Sequence, residues 1–242
     1  MKLLLDAEST HTEDIERFNQ RLVCLERVLI DEMNGMGITI LEQEAILFRE
    51  VLSFLRAKKY NQTNHVLKFA LLGVRIANYL GFSNHAKIIK FHSDIAHDRG
   101  KQELLHLVDR TDLSLEEKEE MKTHVSPARI PTNYGEVVSS AIEQHHRHQT
   151  GRLTLGPYPE KLHFQETSES RLLSQLIAAQ DFYLTCLYKG NGNKEPVSAS
   201  EAVNKTKLEY GQMRIFYEGK MFPYINTNGE NLIKELVQAR LI

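Results

Sequence analysis

The sequence predicts an all-α fold, and three observations carry that prediction. Apolar residues recur every three to four positions through most of the chain, the spacing of one helix face. Ser114-Leu115-Glu116-Glu117 and Ser198-Ala199-Ser200-Glu201 have the pattern of helix-starting capping boxes. Alternating strand patterns are nearly absent, with the start of the chain and Met213 to Tyr217 the only candidates.

The first helix is expected from about His11 to Met36, with Phe18, Leu22, Leu25, Leu29 and Met33 on one face and Gly35 and Gly37 closing it. A second runs from about Leu41 to Lys59 and carries Ile46, Val51, Phe54 and Leu55. Together they read as an N-terminal helical module over residues 1–59, regulatory or dimerising, followed by one larger domain over 60–242. From Thr63 to Leu80 the face is Val66, Phe69, Ala70, Gly73, Ala77 and Leu80, with Gly81 as the stop. Further helices are expected over Asn84 to Ala96, from the Ser114 capping box to about His124, over Gly135 to His148, and from Ser168 to about Tyr188. Gly190-Asn191-Gly192-Asn193 ends that last one, another helix follows the Ser198 box, and a final helix covers Glu230 to Ala239. Thr150 to Glu166, with Gly151, Gly156, Pro157 and Pro159, reads as a loop, and loops between rigid helices often carry specificity.

Composition narrows the class. The chain has 242 residues, 41% hydrophobic and 26% charged, which suits a globular protein rather than a disordered one. A formal charge of −2 supplies no field for DNA or an acidic membrane surface. No apolar run approaches a membrane span, and Met1-Lys2-Leu3-Leu4-Leu5-Asp6 is too short for a signal-peptide core. With only Cys24 and Cys186, in no paired spacing, a reducing cytoplasm is the expected setting. Lys87, Lys90 and Arg152 read as solvated surface charges.

The 11 histidines are the unusual feature, several of them beside apolar helix positions. His145 and His146 follow Ala141 and Ile142 by one turn, so both project toward the buried side. Imidazoles there are satisfied either by a metal or by a partly exposed helix end. Asp181 lies on the apolar stripe Leu173-Leu176-Ile177-Asp181-Leu184. Taken alone, it is more simply explained by a Lys or Arg partner than by a metal. His97-Asp98-Arg99-Gly100-Lys101 closes another apolar helix. Imidazole and carboxylate side by side can bind one ion and bridge to a second, Gly100 permits a backbone turn, and Lys101 sets a cation nearby. His65 and His124 are individually unremarkable. Together these residues come from five helices, the type of constellation from which helical bundles build dinuclear sites.

In order and type, these elements resemble the HD-GYP family of HD-domain metal-dependent phosphohydrolases over roughly Tyr60 to Pro223. The likeness rests on His65 with Arg75-Ile76-Ala77-Asn78-Tyr79-Leu80-Gly81, His97-Asp98-Arg99-Gly100-Lys101, Leu113-Ser114-Leu115-Glu116-Glu117 with Met121-Lys122-Thr123-His124, His145-His146, Gly156-Pro157-Tyr158-Pro159 and Ala179-Gln180-Asp181-Phe182-Tyr183. The resemblance implies an HD-domain helical bundle that hydrolyses cyclic di-GMP to pGpG or GMP through a metal-bridging hydroxide. Implied metal ligands are His65, His97, Asp98, His124, His145, His146 and Asp181, with Asp98 bridging two divalent ions, iron or manganese. Asp98 and Lys101 are the implied catalytic residues, and Lys101 and Tyr158 the implied substrate contacts.

The pattern also departs from the family. Gly-Tyr-Pro becomes Gly156-Pro157-Tyr158-Pro159, and the Glu expected after the two histidines is Arg147. The acidic position after Asp181 is Leu184, and only Lys194-Glu195-Pro196-Val197-Ser198 stands for a basic stretch. The Glu that some members place before the first histidine is Asn61 or Gln62, which implies two metals rather than three. These changes admit two alternatives: a weak or inactive signalling protein that binds nucleotide or a partner protein, and a hydrolase acting on another phosphate ester. A homodimer or a signalling partner would dock through residues 1–59.

Overall fold

The computed structural model describes Gln20, 23–38, 41–57, 59–108, Arg110, 112–130, 132–148, 158–188, 196–210, 216–217 and 220–221. These residues form an all-α bundle with one minimal hairpin. Helix α1 is described over 23–35. It is followed by α2 (Leu41–Arg56), α3 (Tyr60–Tyr79), α4 (Asn84–Ala96), α5 (Leu115–Lys122), α6 (Glu136–Gln144), α7 (Ser168–Tyr188) and α8 (Ala199–Tyr210). Strands β1 (Phe216–Tyr217) and β2 (Lys220–Met221) pair antiparallel, with Phe216 opposite Met221. Of the strand expected near Met213 to Tyr217, Phe216 and Tyr217 are described and are strand; the residues before them lie outside the described residues. The expected helix over Glu230 to Ala239, the chain start, the early part of the His11 helix and Arg152 lie outside the described residues.

Local chemistry accounts for the helix ends. The Ser83 hydroxyl accepts from the Ala86 amide at 3.2 Å and starts α4. Ser114 makes the full reciprocal capping box with Glu117, so α5 forms although none of its residues is buried. The Ser198 hydroxyl caps α8 through the Glu201 amide at 3.2 Å.

Two main apolar cores hold the bundle. One packs Phe69, Leu72 and Ile76 of α3 against Leu172, Leu173, Leu176 and Ile177 of α7, with Ala202 and Tyr210 of α8 beyond. The other packs Leu29, Met33, Ile46, Leu47 and Val51 against Leu67, Ala70 and Val74 of α3 and Phe91 and Ile95 of α4. Apolar burial at roughly 25 cal/mol per Å² makes such side chains the main favourable term in folding. The second core crosses residue 59, so α1 and α2 share apolar packing with the helices that carry the histidines. Arg75 reinforces this, with its Nη2 2.5 Å from Glu32 Oε1.

Lys90 is not a surface charge. It is 0% exposed, as is Asp94 one turn later, and the two form an ion pair inside the bundle. Lys87 is also buried, its ammonium donating to Asn78 Oδ1 at 3.0 Å. Cys24 and Cys186 are both free thiols. Among the described residues, no helix is long and apolar enough to cross a membrane.

Candidate metal centre

Four of the five histidines expected at the site sit where a helix tightens or ends. Helix α4 stops at Ala96, His97 is its C-cap, and Arg99–Leu104 continues as a 3-10 helix. His124 lies in the 3-10 turn Thr123–Val125 after α5. His145 and His146 open the 3-10 segment His145–His148, so the helix expected to reach His148 ends at Gln144. Only His65 and Asp181 lie inside regular helices, α3 and α7.

Gly100 is needed for a different reason from the turn expected of it. Its backbone is not among the left-handed glycines. A Cβ there would fall 1.9 Å from the His124 carbonyl oxygen and 2.8 Å from the carbonyl carbon. The absent side chain lets the Arg99–Leu104 segment lie directly on the backbone of His124.

The side chains gather into two groups. His65, His97, Asp98 and Asp181 bring one ligand atom each within 4.8 Å of one another, and so do His124, His145 and His146. Within the first group His65 Nε2 is 3.0 Å from Asp181 Oδ1. His97 Nε2 is 3.5 Å from Asp98 Oδ2 and 3.9 Å from Asp181 Oδ1. In the second group the Nε2 atoms of His146 and His124 are 3.2 Å apart. Asp98 stands between the groups: its Oδ2 faces His97, and its Oδ1 lies 3.8 Å from His124 Nε2. Donors separated by 3 to 4 Å suit shared ions with bonds of about 2.1 Å. These groups, buried apart from the partly buried Asp181, could each hold a metal ion.

Tautomers are set by the backbone. The Nδ1 atoms of His97, His124 and His145 each meet a carbonyl three residues earlier, at Asp94 (2.7 Å), Met121 (2.8 Å) and Ile142 (2.6 Å). A carbonyl only accepts, so each Nδ1 carries the proton and each Nε2 presents its lone pair inward, the arrangement typical of metal-ligating histidines. The Nε2 atoms of His97 and His145 are buried and make no hydrogen bond. A buried acceptor without a partner costs about 1–3 kcal/mol, which a bound cation would relieve. The donor set therefore fits divalent ions that accept imidazole and carboxylate together.

The electrostatics agree. Burial pushes His97, His124, His145 and His146 down, His124 to about 3 and His145 to about 4, so all four are neutral near pH 7. Burial alone would raise Asp98, but the Lys101 ammonium beside it holds it well below the usual carboxylate range. Asp181 is likewise lowered against its burial, chiefly by the hydrogen bond from His65. The partner of Asp181 is thus an imidazole of the same cluster rather than a Lys or Arg across an interface.

Around this centre the structure places the expected Lys101 and Tyr158 and adds contacts of Gln62 and Glu143. Gln62 Nε2 donates to Asp98 Oδ2 at 2.6 Å, so a neutral amide orients the carboxylate between the two groups. Lys101 Nζ lies 2.7 Å from both Asp98 oxygens. The Tyr158 ring stacks on His146, with centroids 4.4 Å apart and planes at 18°, and Lys122 Nζ lies 5.8 Å from its centroid. Glu143, 0% exposed, accepts from the backbone amides of His163 and Phe164 at 2.9 to 3.0 Å and pairs with the His163 ring at 2.9 Å. That anchors the non-helical segment following Tyr158. Gly156 and Pro157 lie outside the described residues. Glu143 gave a faint signal, a carboxylate two positions before His145 on a largely apolar helix, whereas nothing in the spacing of Gln62 pointed to Asp98.

No protein-family model, curated protein or solved structure matches this chain.

Proposed function

We propose that this chain is a metal-dependent phosphodiesterase of the HD-GYP type that hydrolyses cyclic di-GMP to pGpG or GMP. The observation that carries the reading is Asp98, a buried carboxylate with one oxygen toward His97 of its own group and the other toward His124 of the three-histidine group. His65, His97, Asp98 and Asp181 would hold one ion, and His124, His145 and His146, with the other oxygen of Asp98, a second. Two such ions, iron or manganese, supply Lewis acidity and an ionised water nucleophile at neutral pH.

The chain's own residues do the rest. Gln62 and Lys101 fix the Asp98 carboxylate by hydrogen bonds of 2.6 and 2.7 Å. Lys101, with its side chain 18% exposed, has the charge and reach to hold a phosphate oxygen as negative charge grows on it. Tyr158 closes one side of the centre against His146 and would flank the substrate. No side-chain nucleophile is required.

The test is turnover by metal-loaded protein. Cyclic di-GMP should disappear as pGpG or GMP accumulates, and Asp98→Ala should reduce the rate by orders of magnitude. An Asp98→Ala protein with the parent rate rules the reading out. A second reading, nucleotide or partner binding with little turnover, draws on Tyr158: its ring lies on a candidate ligand, His146. Nucleotide binding without product at full metal occupancy would select it, and turnover of another phosphate ester would select a changed substrate. In either case α1 and α2, through the core they share with α3 and α4, would carry a dimer or partner signal toward the centre.

A further inference from the structure

Beneath the candidate centre lies a second buried polar assembly. Lys90 and Asp94, one turn apart on α4, form an ion pair with both residues 0% exposed. Lys90 Nζ also donates to Gln180 Oε1 on α7 at 3.0 Å, and Gln180 Nε2 donates to the Phe69 carbonyl on α3 at 2.6 Å. Room for the pair comes from Gly73 on α3, where a Cβ would fall 1.6 Å from Asp94 Oδ2 and 3.0 Å from Lys90 Nζ.

Such an assembly is poorly explained by stability. Removing two charges from water costs several kcal/mol per ion, and apolar residues of like shape are often as stable or more so. Burial here pushes the Asp94 carboxyl up to about 7 and the Lys90 ammonium down. What the assembly does is join three helices at the points from which ligands project. Gln180 directly precedes Asp181 on α7. The Asp94 carbonyl holds His97 Nδ1 at 2.7 Å. Phe69, whose carbonyl takes the Gln180 bond, stacks on the His97 ring at 3.9 Å and lies 5.8 Å from His65, one turn earlier on α3. Each contact leads to the group His65, His97, Asp98 and Asp181. Among the described residues, Lys90, Asp94, Gln180 and Phe69 make no such contact with His124, His145 or His146, which sit on other segments; His145 is met by the His97 ring, with centroids 5.9 Å apart.

We propose that Lys90, Asp94 and Gln180 are positioning residues, a buried clamp that fixes the geometry of the His65/His97/Asp98/Asp181 group and sets its metal affinity separately from that of the other group. The inference rests on the metal-centre reading above. Supporting residues of this kind typically change metal affinity by roughly 10- to 100-fold when replaced.

The full chain is stripped of metal and titrated with Co(II), following visible absorption and bound cobalt per chain against a competing chelator. The parent should take two ions. K90M/D94L replaces the pair with side chains of similar shape, so its metal-free melting temperature should stay near or above the parent's. One of its two cobalt ions should nonetheless bind roughly tenfold or more weakly, with an altered spectrum for that ion. Gln180→Met leaves the ion pair in place and carries the same expectation, so the test survives if the double variant fails to fold. Parent-like affinity for both ions in Gln180→Met or in a folded K90M/D94L overturns the clamp, as does equal weakening of both ions. A parent chain that takes up no cobalt overturns the metal centre itself.

Discussion

Replacing Gly100 with alanine tests how tightly the backbone fixes the centre. The added Cβ would lie 1.9 Å from the His124 carbonyl oxygen, where contacts under 3.0 Å essentially never occur. The two backbones must therefore part by roughly 1 Å, several times the ~0.2 Å tolerance of metal–ligand bonds. The displaced residue carries the His124 ring, which faces both Asp98 and His146. Overpacking of this kind costs about 1–3 kcal/mol. At roughly 2–4 °C per kcal/mol for a domain of this size, the metal-free melting temperature should fall by about 2–12 °C. Metal affinity should fall further, by at least tenfold, because one ligand is moved while the others stay. The assay is elemental analysis after dialysis against a graded chelator, with melting of the metal-free protein in parallel. If Gly100→Ala keeps the parent's metal content and affinity, His124 is not held by this contact and the geometry assigned to the centre is wrong.

Other consequences are equally direct. Tyr158→Phe keeps the ring on His146, so metal content should stay at the parent value while KM for a phosphodiester rises; loss of metal instead would make the hydroxyl part of the centre. Glu143→Gln removes charged hydrogen bonds to the His163 and Phe164 amides. It should destabilise by on the order of 2 kcal/mol, read as a lower melting temperature, and an unchanged one would remove Glu143 as the anchor. The pH dependence of the metal-free protein has a fixed sign. His124 and His145 are lowered to about 3 and about 4, and His97 and His146 are lowered too. Between those values and the ordinary 6.5, the unfolded chain binds protons that the folded chain does not, so stability rises with pH. It is fully present above about 6.5 and is lost as the pH falls toward 4. Asp94, raised to about 7, acts in the opposite sense, its contribution lost as pH rises through 7. Melting the metal-free protein from pH 8 to pH 5 should show the acid loss, and a flat profile contradicts the burial of neutral imidazoles.

Much of the fold was legible because helices announce themselves locally. The Ser114 box predicted the start of α5, and the stripe from Leu173 to Leu184 predicted α7, since capping and periodicity depend on residues a turn apart. The seven candidate ligands were legible by type and order, and the structure brings them into two adjoining groups. Harder to see were features that depend on what lies across from a residue. Lys90 looks like a helix-surface lysine until Gly73, on the facing helix, leaves space for its pair with Asp94. A glycine on an inward helix face was the available clue, because it marks close approach. For Gln62 spacing offered no clue to Asp98, because its target lies 36 residues away. At Gly100 the sequence suggests backbone freedom, and the structure adds a close approach to the His124 carbonyl that leaves no room for a side chain.

The most direct test of the account is the metal content of the purified chain. Elemental analysis should find two transition-metal ions per chain, iron or manganese, in the parent and fewer than one in Asp98→Ala, with both proteins folded by circular dichroism. A parent chain that binds no transition metal, even after anaerobic loading with iron or manganese, would contradict it.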